Sequence, residues 1–182
     1  MPNGSVDQAV LNKAFYNWPY FGDFKYSGFA LLNKITDDDT VIDIGCGCNP
    51  FKGKIKNLIG LDPANDAADV KVAIQDYETD QKFSVAFCLG SLTHCVAEEF
   101  EERLAKVVSL MLPKSKIFFR VHPMVGNGMS TLPAQFTDLP LYRWSPEVMR
   151  RHAAKYGYTV IDMQDEFHPE AGVKRTYIEW AR

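Results

Sequence analysis

The sequence predicts an α/β fold: a seven-stranded, mostly parallel sheet with an antiparallel last strand and helices on both faces. Three observations carry this. From residue 41 onward, short apolar, β-branched runs alternate with loops and helices, the pattern of a parallel sheet covered on both sides. Two of the intervening segments have clear helical periodicity. The last two runs are joined only by "QDEFHPEAGVK", which has no helical period and favours an antiparallel pair.

Taken in order, residues 5 to 18 are expected to form a short helix through Val6, Val10 and Ala14, stopping before Pro19. "FYNWPYFGDFKY" overlaps its end, and seven of these twelve residues are aromatic. They either pack onto the main core or roof a ligand, which makes residues 1 to about 36 a candidate aromatic and helical lid. A second helix is expected from Ser27 as N-cap, carrying Phe29, Leu31, Leu32 and Ile35 and ended by "TDDD".

The seven expected strands are "VIDIG" (41–45), "LIGLD" (58–62), "DVKVAI" (69–74), "FSVAFCL" (83–89), "KIFFRV" (116–121), "YTVIDM" (158–163) and "RTYIEWA" (175–181). The first is apolar on both faces, as in a strand between helical layers. A helix over 97–112 sets Phe100, Leu104, Val107, Val108 and Met111 on one face. Glu98, Glu99, Glu101 and Glu102 crowd its start, where the helix dipole favours acids, and Pro113 is expected to stop it. Another helix runs from Ser145 (N-cap) and Pro146 to Gly157, burying Val148, Met149 and Tyr156.

The bulk numbers fit one domain spanning residues 1–182. Apolar content is 46%, charged content 24%, and net charge −3, so no strongly basic field points to nucleic acid. No apolar run reaches the ~18 residues of a membrane span, and the first ten residues have no signal-peptide pattern. The four cysteines, Cys46, Cys48, Cys88 and Cys95, do not form a secreted disulfide framework. A cytoplasmic setting is expected.

The chemistry concentrates in "VIDIGCGCNP", residues 41–50. Cys46-Gly-Cys48 is C-x-C with no second pair at zinc-ribbon spacing, so no metal is expected. Cys46 reads as a small filler at a strand end. A dinucleotide fingerprint needs G-x-G-x-x-G, and Pro50 stands at the third glycine. A third reading explains more. Gly45 and Gly47 let the backbone turn tightly against a ligand. Asp43 leaves the strand beside that turn and can accept from an ammonium group. Asp62, ending the second strand, can take a ribose diol. Asp76, after the third, can accept from an exocyclic amine. Those three groups together describe S-adenosylmethionine (SAM).

On these residues the chain resembles the class I, Rossmann-like SAM-dependent methyltransferases over roughly residues 27–182. The resemblance rests on "VIDIGCGCNP", "GLDPA", "IQDYE" and "FCLGSLTHCV" in that order. It implies that Asp43, Gly45, Cys46 and Gly47 lie near the methionine end of SAM and that Asp62 holds the ribose. Pro63 and Ala64 would flank the adenine, Asp76 would meet its amino group and Tyr77 its ring. Leu89, Gly90 and Ser91 would pass near the transferred methyl. Asn49-Pro50 replaces a third glycine found in many relatives, though Asn tolerates positive φ. "FKGKIKN" leaves room for barely two helical turns between the first two strands.

Candidate bases are His94, after the fourth strand, and His122, after the fifth, both at carboxyl ends where open α/β sheets bind ligands. The segment "LGSL" lacks the Asp/Asn-Pro-Pro-aromatic motif of enzymes that methylate nucleobase amines, and Cys88 follows Phe87 rather than a proline. Lys52, Lys54 and Lys56 read as a solvated face. The long link from His122 to Trp144 includes Met124, Met129, Phe136 and Tyr142 and is the expected acceptor wall. With no separate recognition domain, a small-molecule acceptor fits best. An RNA acceptor, a non-catalytic SAM- or nucleotide-binding module, and a nicotinamide-dependent oxidoreductase are the alternatives; Asp43 and the broken third glycine weigh against the last.

Overall fold

A computed structural model describes residues 7–17, 24–122, 141–142, 144–168 and 174–182. In order, the elements are α1 (Gln8–Ala14), a 3₁₀ helix (Gly28–Lys34), β1 (Val41–Ile44), β2 (Leu58–Leu61), a 3₁₀ turn (Ile74–Asp76), β3 (Phe83–Leu89), α2 (Ala97–Ser109), β4 (Met111–Val121), α3 (Pro146–Lys155), β5 (Thr159–Phe167) and β6 (Lys174–Ala181). The strands form one sheet in the order β2-β1-β3-β4-β6-β5. β2, β1, β3 and β4 run parallel. β6 is antiparallel to both of its neighbours, as the short final connection predicts.

The described sheet has six strands rather than seven. The expected third strand, 69–74, meets β2 only at a single parallel bridge, Leu61 to Val70. The cause is local. The Gly60 N–H on the outer edge of β2 is taken by the Asp69 carboxylate at 2.9 Å, and the Gly60 carbonyl accepts from both Asp69 and Val70 amides. With those edge groups satisfied, the chain turns away into the 3₁₀ turn at Ile74.

Alternate strand residues face opposite layers. Ile42, Ala86, Phe119 and Ile178 join the larger core with Phe100, Leu104, Val107, Met149 and Ala153 from α2 and α3. Val41, Val85, Phe118 and Tyr177 join a smaller one with Leu31, Phe51 and Ile55. Helices stand on both faces, of different kinds: α2 and α3 cover one face, and the 3₁₀ helix with the turn at 51–55 covers the other. The link between β1 and β2 forms turns and no helix, so buried Phe51 and Ile55 do the covering. Each such side chain stabilises by roughly 1.5–3 kcal/mol.

Boundaries shift for identifiable reasons. Ser27 precedes a 3₁₀ helix and makes no side-chain cap, because its hydroxyl donates to Glu166 at 2.7 Å. α2 ends at Ser109 and the chain enters β4 at Met111, so Pro113 sits within a strand whose residues 112–114 are exposed. Ser145 does cap α3, accepting from the Val148 amide at 3.2 Å, but Val148 itself is only half-buried. Of the expected acceptor wall, Met124, Met129 and Phe136 lie outside the described residues, as do Val6, Trp18, Tyr20 and Phe21 of the N-terminal segment. Tyr142 and Trp144 pack on Phe100 with ring centroids 4.3 Å away. No helix among the described residues is long and apolar enough to cross a membrane.

Candidate active site at the carboxyl edge of the sheet

The turn after β1 is built from three positive-φ residues, Gly45 (68°), Gly47 (56°) and Asn49 (54°). Asparagine thus takes the left-handed position without a third glycine. Gly45 is required twice over. Besides its φ, a Cβ there would come within 2.3 Å of the Ser91 Cβ. That contact brings the turn after β1 against the turn after β3, where Gly90 also has positive φ. Ser91 Oγ is buried and unpartnered among the described residues.

Asp43 is buried on the face of the smaller core, in register with Phe87 of β3. Burial pushes its carboxyl up to about 7; the charge of Arg120 opposes this and that of Asp62 adds to it. Asp62 ties the site together. One oxygen accepts from the Gly47 amide at 2.9 Å and the other from the Ala64 amide at 2.7 Å. Each carboxylate oxygen has a further lone pair, so a diol can still be accepted. Ala64 is buried and Pro63 half-buried beside it. Asp76 is exposed at the end of the 3₁₀ turn, and Tyr77 is buried within the larger core.

Three of the cysteines, Cys46, Cys88 and Cys95, are buried fillers, whereas Cys48 is exposed. Cys46 and Cys88 are buried, and burial raises both thiols above their usual range. Among the described residues no cluster of His, Cys, Asp or Glu could hold a metal.

The two histidines named from sequence come together. His94 and His122 are both buried, with ring centroids 6.2 Å apart and nearly perpendicular. Phe15, just after α1, packs on His94 at 5.0 Å. α1 is held there by Asn17, whose amide donates to the Ala64 carbonyl and whose side chain bonds Asp66. Further along, Phe24 lies under the Arg120 guanidinium at 4.6 Å. The Tyr26 and Ser27 amides then donate to Glu166 of β5. The N-terminal segment is thus pinned at both the β2 end and the β5 end of the carboxyl edge.

Sequence reasoning missed several of these residues. Asp69 accepts from Gly60, Asn49 and Lys52. These bonds hold its carboxyl below the usual range against the burial that raises it. Gly60 is glycine because a Cβ would meet the Asn49 side chain and Cys46 Sγ at 2.9 Å. Arg120, the one charge in the apolar run 117–121 that ends β4, was the visible signal for its own role.

This arrangement is that of the Rossmann-like methyltransferase fold. No protein-family model matches the chain and no curated protein matches it in sequence. Solved structures do. The 1,6-didemethyltoxoflavin-N1-methyltransferase of Burkholderia thailandensis, with bound 1,6-didemethyltoxoflavin and S-adenosylhomocysteine (SAH), aligns with a TM-score of 0.70 at 15% identity, over 97% of this chain and 79% of that one. The magnesium protoporphyrin IX methyltransferase of Synechocystis, with SAH, gives 0.69 at 12%, over 97% and 100%. The N-methyltransferase NodS of Bradyrhizobium japonicum, also with SAH, gives 0.65 at 12%, over 96% and 97%. At such identities the likeness is one of fold.

Proposed function

We propose that this chain is a SAM-dependent methyltransferase acting on a small-molecule acceptor. The observation that carries the reading is the interlocked turn at the ends of β1 and β2: buried Asp43, the positive-φ Gly45-Gly47 turn, and Asp62 hydrogen-bonded to it. These residues fit the cofactor. Asp43 would hold its ammonium, Asp62 its ribose, and Pro63, Ala64, Asp76 and the buried Tyr77 would border the adenine. Cys46 packs behind the turn. The buried Ser91 hydroxyl, next to Leu89 and Gly90, has an unmet donor at the place where the reacting group would lie. SAM supplies an electrophilic methyl group.

The chain's own residues then have three tasks. The glycine turn positions, the N-terminal segment roofs the edge and excludes water, and His94 or His122 takes a proton from the acceptor if it must lose one. Several of the fold neighbours are methyltransferases named for small molecules, which supports that acceptor class. RNA is disfavoured because the basic run is used locally: Lys52 pairs with Asp69 and Lys54 covers Phe29. Four free cysteines suit a reducing compartment such as the cytoplasm.

Calorimetry with SAM, SAH and NAD tests the reading. Binding of SAM and SAH but not NAD is expected; absence of both SAM and SAH binding removes the proposal. Turnover of labelled SAM against small-molecule and RNA pools then separates an enzyme from a non-catalytic binding module.

A further inference from the structure

Resting on the methyltransferase reading, we infer that Arg103 of α2 is a positioning residue for the candidate base: with Glu99 it clamps the backbone around His94 and so fixes the imidazole against His122. His94 needs such a clamp. It lies in the connection 90–96 between β3 and α2, which has bends but no helix or strand, so no ladder of backbone bonds sets its orientation. Its side chain and its carbonyl are nevertheless buried.

The first two turns of α2 supply the missing constraints. Arg103 is buried on α2 with Phe100, Leu104 and Val107, the one charge in that set. Its Nη1 donates to the His94 carbonyl at 3.2 Å. Its Nη2 lies 3.8 Å from Glu99 Oε2, one helical turn earlier. Glu99 Oε2 in turn accepts from the Val96 amide at 3.3 Å. The chain is thus gripped at the two peptide bonds that flank Cys95, and the Arg103–Glu99 pair ties the two grips together. Both charges are felt by the buried thiol between them. Burial pushes Cys95 up to about 12; the charge of Arg103 opposes this and that of Glu99 adds to it. Thr93 closes the same connection from within, its hydroxyl donating to the Gly90 carbonyl at 3.1 Å. The His94 ring itself meets Phe15 at 5.0 Å and His122 at 6.2 Å.

Replacing a buried ion pair by apolar residues is often neutral or stabilising, so packing alone does not call for arginine here. What the guanidinium adds is a rigid planar fork with separate donors. It holds a carbonyl and a carboxylate at once, at a fixed angle. A buried carbonyl left without a donor is costly. Without the fork the peptide turns to find another partner, and the ring turns with it. A proton acceptor works only within hydrogen-bond reach of the proton it takes, so the orientation of this peptide bears directly on transfer.

The test is NMR of the four histidine rings in the SAH-saturated chain, assigned with His94→Gln, His122→Gln, His152→Gln and His168→Gln. In Arg103→Met, cross-relaxation of the His94 ring with the Phe15 and His122 rings is expected to fall severalfold. The His152 and His168 signals and the SAH affinity should hold. Arg103→Lys, which keeps the charge but not the fork, should recover the contacts in part, and Glu99→Gln should weaken them in the same direction. If Arg103→Met does not fold, Arg103→Lys and Glu99→Gln carry the comparison. Unmoved His94 signals overturn the inference, as does a change spread equally over all four rings, which a merely structural arginine would give. Single-turnover transfer from labelled SAM to the small-molecule pool, read on the same variants, should fall at least about tenfold. A wild-type rate once the His94 ring has moved overturns the inference too, because His94 is then not the base. Failure of the wild-type chain to bind SAH defeats the methyltransferase reading instead, and the ring comparison is then made on the unloaded chain.

Discussion

The carboxyl edge of the sheet has two halves, made in different ways. Over β1 and β2 it is built from backbone: three positive-φ residues, amides held by Asp62, and a strand edge closed by Asp69. Over β3 and β4 it is built from side chains: His94, His122 and Arg120, with Phe15 and Phe24 laid across them. The first half needs a fixed turn and has little freedom in residue choice. The second can change its chemistry one side chain at a time. That contrast suits a constant ligand on one side and a particular acceptor on the other.

The largest expected effect lies in the side-chain half. If one histidine is the base, His94→Gln or His122→Gln lowers single-turnover methyl transfer about 10²–10⁴-fold while SAH affinity holds. Two variants of wild-type rate would leave the pair no acid–base role. In the backbone half, Gly45→Ala combines a clash with Ser91 and a left-handed φ, and should cost about 2–4 kcal/mol of stability, read from the urea midpoint. A wild-type midpoint would mean that the two turns are not in contact.

Asp62→Ala should weaken SAH binding by roughly 1.5–3 kcal/mol; an unchanged affinity takes Asp62 out of the site. Asp43 gives a pH signature. Its folded pKa is raised to about 7, so the native state binds the extra proton between the usual carboxylate value and about 7. Stability from this group is therefore present at low pH and lost as pH rises through that window, by about 1.4 kcal/mol per unit. Ligand ammonium binding has the opposite sign. It needs the carboxylate, so SAH affinity should fall about tenfold per unit below about pH 7, and Asp43→Asn should flatten that slope. The smallest effect is at Asn49. Asn49→Ala should cost about 1–2 kcal/mol for its positive φ, and Asn49→Gly should lose less than Asn49→Ala.

What was legible follows the same division. Asp43, Gly45, Gly47 and Asp62 lie within one strand-turn-strand unit, so their spacing alone brings them together. The periodicity of α2 and the N-cap of α3 were equally local. The third strand misled because "DVKVAI" has the right alternation, and nothing in it announces that Asp69 will take the Gly60 amide. Ser27 has the right residue type for a cap, but its hydroxyl goes to Glu166, 139 residues away in the chain.

The sequence by itself determined the glycine turn, the acids at the strand ends and the antiparallel finish of the sheet, because each depends on residues near one another along the chain. Tertiary structure alone decided that His94 meets His122 and that Phe24 supports Arg120. Those contacts join β3, β4 and the N-terminal segment through strand register, and register is fixed only when the two faces of the sheet are buried.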